Sequence, residues 1–248
     1  MNIPPNNQAL RTSITKTYLA LRWGMAGIGL ILPFFLWIVG PWVTSGPLPD
    51  SISGYYHTPL RDVFVGALVT TGTFLFLYKI FTPLENWLLN IAGISAILVA
   101  VLPCTVPTGR PPAEFTFQAG HVLFAIITFV CLGLTAIFCA RKSLMKGKQD
   151  LTPGQLKIFT IVYRTIGVLM IALPLAVALL DAAGMANLFW IESAGLWMFS
   201  AYWGVKTFEF SITGAEKKAI KGPTCTLPDC PLADRTSEGG EAPHPVAQ

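Results

Sequence analysis

Residues Gly24–Val43 read GMAGIGLILPFFLWIVGPWV, a run with no charged side chain. At about 1.5 Å of rise per helical residue, such a run reaches about 30 Å, the thickness of a bilayer's hydrocarbon core. It is too long for a signal-peptide core, and no small-residue cleavage site follows it, so it reads as a retained span. Five further apolar windows follow, roughly Leu60–Ile80, Trp87–Pro103, Phe115–Ala140, Ile158–Leu180 and Leu188–Phe210. The composition agrees. Of 248 residues, 53% are hydrophobic and 12% charged, against about 25% charged in an average soluble domain. Mean hydropathy is +0.58. These values exclude a disordered chain, a broad basic face for nucleic acid and an ordinary soluble enzyme. The expected fold is all-α, a polytopic membrane protein built as a bundle of six transmembrane helices.

The chain divides accordingly into an N-terminal cytoplasmic segment (1–17), a six-helix transmembrane domain (18–212) and a tail (213–248). The tail is rich in Pro, Gly, Glu and Ser and is too polar to fold alone. The connections are short and carry turn residues: Gly46, Pro47, Pro49 and Gly54 in one, Pro107, Gly109, Pro111 and Pro112 in another. No repeat of fixed period is present, which argues against an inverted-repeat transporter. The cysteines, Cys104, Cys131, Cys139, Cys225 and Cys230, show no disulfide framework and no redox or zinc spacing. Basic residues set the orientation. Arg11, Lys16, Arg22, Lys79, Arg141, Lys142, Lys146, Lys148, Lys157, Lys217, Lys218, Lys221 and Arg235 gather on one side, while the other has Arg61 and Arg110. By the positive-inside rule both termini are cytoplasmic, in a cell membrane (the inner membrane in a bacterium). Trp42, Tyr55, Tyr56, Trp87 and Trp190 fall near span ends, as in an aromatic belt.

Ionisable residues inside the spans are the functional candidates, because each is expensive in hydrocarbon unless paired or hydrated. Between Glu192 and Lys206 the chain is uncharged but too short to cross, so at least one of them lies within the apolar slab. Their fourteen-residue separation returns to within about 40° of one helix face, roughly 21 Å apart along the axis. The topology places His57, Arg61, Asp62, Gln118, His121 and Glu192 at similar depth on the outer side, with Ser51 and Ser53 on the preceding loop. This set has four readings. Arg61 and Asp62 serve the helix end while His121 bonds Glu192; or the set forms a pocket for a lipid headgroup or small polar ligand; or His57, His121 and a carboxylate hold a metal; or His121 and Glu192 couple to protons. The pocket residues are His57, Arg61, Asp62, His121 and Glu192. An inner set comprises Asn90, which shares a face with Asn86, together with Arg164, Lys206 and Glu209; an Arg164–Glu209 pair is expected there. Small residues (Gly24, Gly27, Gly29, Gly66, Ala67, Ala92, Gly93, Ala96) permit close helix approach, and Pro33 and Pro174 fall within spans. The chain has no phosphate loop, no G-x-S-x-G and no H-E-x-x-H. No cofactor and no metal is expected. Membrane lipids are the expected partners, and nucleic acid is not.

The segments SISGYYHTPLRDVFVGAL, NIAG at Asn90–Gly93, GHVLFA around His121, YRTIGV from Tyr163 and WIESAGLWMFSAYWGVK around Glu192 and Lys206 resemble a group of prokaryotic six-span membrane proteins. More distantly, they are similar to the eukaryotic DRAM/Sfk-type membrane proteins. The resemblance covers about Ser51 to Phe210. It implies six helices and a role around membrane lipid organisation, with no agreed reaction and no catalytic residues. Ser53, His57 and Asp62 also loosely resemble the Ser/His/Asp set of the membrane metal hydrolases that include alkaline ceramidases and adiponectin receptors. Those have seven spans and a paired His motif in a late helix, whereas the remaining histidine here is His244 in the tail. The leading expectation is therefore a non-enzymatic membrane protein with an outward-facing ligand pocket. A metal-dependent lipid hydrolase and a small-solute or proton-coupled transporter are the alternatives.

Overall fold

A computed structural model describes residues 5–44, 46–79, 82–103, 115–139, 151–185 and 187–214. The 104–114 and 140–150 connections and the tail beyond Gly214, with Cys104, Cys225 and Cys230, lie outside these residues, as does the Gln118 side chain. The described residues form six helices and no strand: α1 (Pro5–Val43), α2 (Arg61–Leu77), α3 (Pro83–Val101), α4 (Phe115–Leu134), α5 (Pro153–Ala182) and α6 (Phe189–Thr213). Helix α4 runs on into a π-helical turn at Thr135–Cys139, and a 3-10 turn at Ser53–His57 interrupts the α1–α2 connection. Four helical stretches are long and apolar enough to cross a membrane: Thr12–Val43, Pro83–Val101, Ala119–Cys139 and Pro153–Ala182. Of the other two helices, α2 has 17 residues, about 25 Å, and α6 carries Glu192, Lys206 and Glu209.

Each expected apolar window holds a helix, and the ends shift for identifiable reasons. Helix α1 begins at Pro5, well before the apolar core, because nothing between Pro5 and Gly24 breaks a helix. Helix α3 starts one turn before Trp87, where the Thr82 side chain caps the Glu85 N–H and Pro83 takes the first turn. Helix α5 starts at a full capping box, Thr152 with Gln155, again followed by proline. Helix α6 stops at Gly214, whose φ of 58° is the left-handed C-cap that glycine adopts without strain.

The helices form a closed ring in chain order. Each packs on its successor, and α6 returns to α1. Neighbours run antiparallel: Gly72 meets Gly93 while Lys79 meets Asn90, and Trp37 meets Trp190 while Arg22 meets Phe210. At the α2–α3 crossing a Cβ on Gly72 would lie 2.5 Å from the Gly93 carbonyl oxygen, and one on Gly93 the same distance from that of Gly72. The ring's exterior is apolar, with Ile31, Ile38, Ile94, Leu123, Ile161, Val168 and Phe208 exposed. So broad an apolar exterior is what a membrane, not water, accommodates.

Candidate functional site

The end of the ring where α1 finishes and α2 begins is the loop end; the opposite is the tail end. A cavity of about 250 Å³ opens inside the ring and touches all six helices. Its depth follows from the helix rise. On α2 the wall runs from Phe64 to Leu75, and on α4 from His121 to Leu132, about 16 Å in each case. Deep walls come from Ile28, Leu75, Leu132 and Phe199. Most of the polar lining gathers at the loop end: Ser51 and Ser53 from the connection, His121 from α4, Asp181 from the end of α5 and Glu192 from the start of α6, with Thr71 and Thr128 further in. Chain direction explains this grouping, since α4 and α6 begin, and α5 ends, on the same side.

Glu192 fastens the connection over this end. Ile52 N–H donates to Glu192 Oε2 at 2.7 Å and Ser53 N–H at 3.3 Å, with the Ser53 hydroxyl within 3.4 Å of Oε1. Three residues earlier on α6, Phe189 N–H donates to the Asp50 carbonyl at 2.7 Å. Ile52 and Tyr55 are buried behind this latch, and burial pushes the Tyr55 phenol above its ordinary pKa. His121 does not share the latch. Its Nδ1 lies 2.9 Å from the Leu102 carbonyl, which can only accept, so that nitrogen carries a proton. His121 and Glu192 thus face one cavity but are held by different partners.

His57, Arg61 and Asp62 lie outside the cavity lining. Arg61 is exposed, stacks on the Tyr56 ring at 4.5 Å and donates to its hydroxyl at 2.9 Å. His57 packs edge-on against Tyr56. Asp62 is exposed in the first turn of α2, where a carboxylate complements the helix dipole. Among the described residues, no three His, Cys, Asp or Glu side chains are grouped so as to hold a metal ion. His57, His121, Asp62 and Glu192 therefore supply no such set.

The tail end holds a second polar group, and here the expected pair is corrected. Arg164 is exposed. Its neighbour Tyr163, about 100° round the helix, points inward and donates its hydroxyl to Glu209 at 2.5 Å. Lys206 instead pairs with Glu85 at 3.5 Å, both fully buried. Arg22, 1% exposed, donates to the Tyr78 hydroxyl at 3.3 Å and lies over Phe210. Asn90 accepts from Lys79 at 2.7 Å, nearer the surface. Arg22, Glu85, Tyr163 and Asp181 were not among the expected residues. Arg22 sits flush with the apolar run and reads as a boundary charge. Glu85 stands in T-P-L-E, which reads as a capping box, yet its side chain turns to Lys206 instead of back to Thr82. Comparison with protein-family models, curated proteins and solved structures finds no match to this chain.

Proposed function

We propose that this is a six-span membrane protein with both termini cytoplasmic, whose loop end faces outward and whose cavity binds an amphiphile from the membrane. The observation that supports this is the cavity's polarity gradient: over a total depth of about 16 Å, a polar mouth of Ser51, Ser53, His121, Asp181 and Glu192 gives way to walls that are apolar apart from Thr71 and Thr128. A small polar ligand would leave those walls unmatched, while an amphiphile places its chain against them and its head at the mouth. An engineered cavity of about 150 Å³ holds the six carbons of benzene, so about 250 Å³ has room for roughly ten carbons of a chain at the same density. The reading agrees with what the resemblance over Ser51–Phe210 implies, a role around membrane lipid organisation. Extraction of the purified protein and mass spectrometry test it. Wild type should retain about one amphiphile per chain. Gly195→Leu should retain much less, because an added Cβ meets Phe129 at an ordinary 3.7 Å and the larger side chain then fills the lumen. Equal retention in both proteins, or none in either, would refute the reading.

A further inference from the structure

The outer cavity also carries information about the ligand's head, and this inference rests on the amphiphile reading above. We infer that the amphiphile carries an amine head. Two observations combine. First, the ionisable side chains lining the cavity are His121, Asp181 and Glu192, and no lysine or arginine lines it among the described residues. Arg61, at the same end, is turned onto Tyr56. A phosphate or carboxylate head would therefore enter beside two carboxyl groups and the His121 imidazole, with no lysine or arginine to meet it, whereas an ammonium finds acidic partners.

Second, the mouth is rich in acceptors. Glu192 takes the Ile52 and Ser53 N–H groups and the Ser53 hydroxyl, which leaves about one of a carboxylate's roughly four lone-pair sites for a further donor. Asp181 lies at the rim, exposed. An ammonium brings three donors and no acceptor, which fits this surplus. A hydroxyl brings one donor and no charge, so it fits less well.

The test holds the chain constant and varies the head. Purified full-length protein in phosphatidylcholine nanodiscs is dialysed against radiolabelled dodecylamine, dodecanol or dodecyl phosphate at neutral pH, with empty nanodiscs subtracted. The amine should bind saturably and at least tenfold more tightly than the alcohol, and the phosphate should show no saturable binding. Asp181→Asn, at an exposed position where folding is not at stake, should lower the amine-to-alcohol affinity ratio at least threefold. Glu192→Gln should lower it as well. Equal binding of all three probes, or tightest binding of the phosphate, would overturn the amine assignment and leave the amphiphile reading standing. An unchanged ratio in Asp181→Asn would also overturn it. Saturable binding of none of the probes would sink both.

Discussion

Lys206 and Glu85 join α6 to α3 at full burial, 3.5 Å apart. Beyond that ion pair, neither group has a hydrogen-bond partner among the described residues. Charges so placed are tolerated only together. Removing one strands the other, at about 3–5 kcal/mol, whereas replacing both with apolar side chains of similar size is often nearly neutral. Lys206→Met should therefore lower the thermal unfolding midpoint sharply, and adding Glu85→Leu should recover most of the loss. If the double variant melts no higher than the single, the pair is not what makes Lys206 tolerable. His121 and Glu192 offer the contrasting case. Each has its own partner, Leu102 for one and the 52–53 backbone for the other, so alanine substitutions at the two should combine nearly additively. A double-mutant cycle should give coupling below about 0.5 kcal/mol; a larger value would mean they do meet. The sequence made Glu192 and Lys206 conspicuous as charges inside an apolar window. It concealed Glu85 and Arg22, because a charge at a window's edge looks the same whether its side chain turns inward or outward.

Helix α2 leans on α3 through backbone, not side chains, at Gly72 and Gly93. Either Cβ would stand 2.5 Å from the opposing carbonyl oxygen, and backbone on both sides leaves little room to yield. Gly93→Ala should destabilise the protein by about 1–3 kcal/mol, as overpacking does, while Gly27→Ala, with nothing within 4 Å of the added Cβ, should not. Melting curves of the two in the same detergent distinguish a crossing-specific effect from a general one. The sequence shows small residues in this region, including Ala92, Gly93 and Ala96, but no pattern in one helix reveals which small residue faces which. Element boundaries were easier to read wherever a local device sets them: Thr152 with Gln155 at the head of α5, Gly214 at the foot of α6.

Across the whole bundle, the antiparallel ring puts the 44–60 connection, the end of α5 and the start of α6 at one end. The proposed orientation, from the skew of basic residues, puts that end outside. With cysteines introduced at Ser45 and Lys146, each in a background lacking the native thiols, an impermeant reagent added to intact cells should label the first and spare the second. Labelling at 146 from outside would invert the orientation and move the cavity mouth to the cytoplasm. The experiment is independent of what the cavity binds, so it separates topology from ligand.

Composition and periodicity are local quantities, and they sufficed for the all-α class, the six apolar windows and the depth of His121 and Glu192. Depth is legible because helical rise is constant along a chain. Which side chains face inward, and across from whom, depends on how each helix is rotated and which neighbour it meets. That is why Glu192 fastens residues 52–53 and not His121, why Tyr163 and not Arg164 reaches Glu209, and why Lys206 answers to Glu85 from a distant part of the chain. The cavity has the same origin: it is space enclosed by six helices, and no single helix contains it.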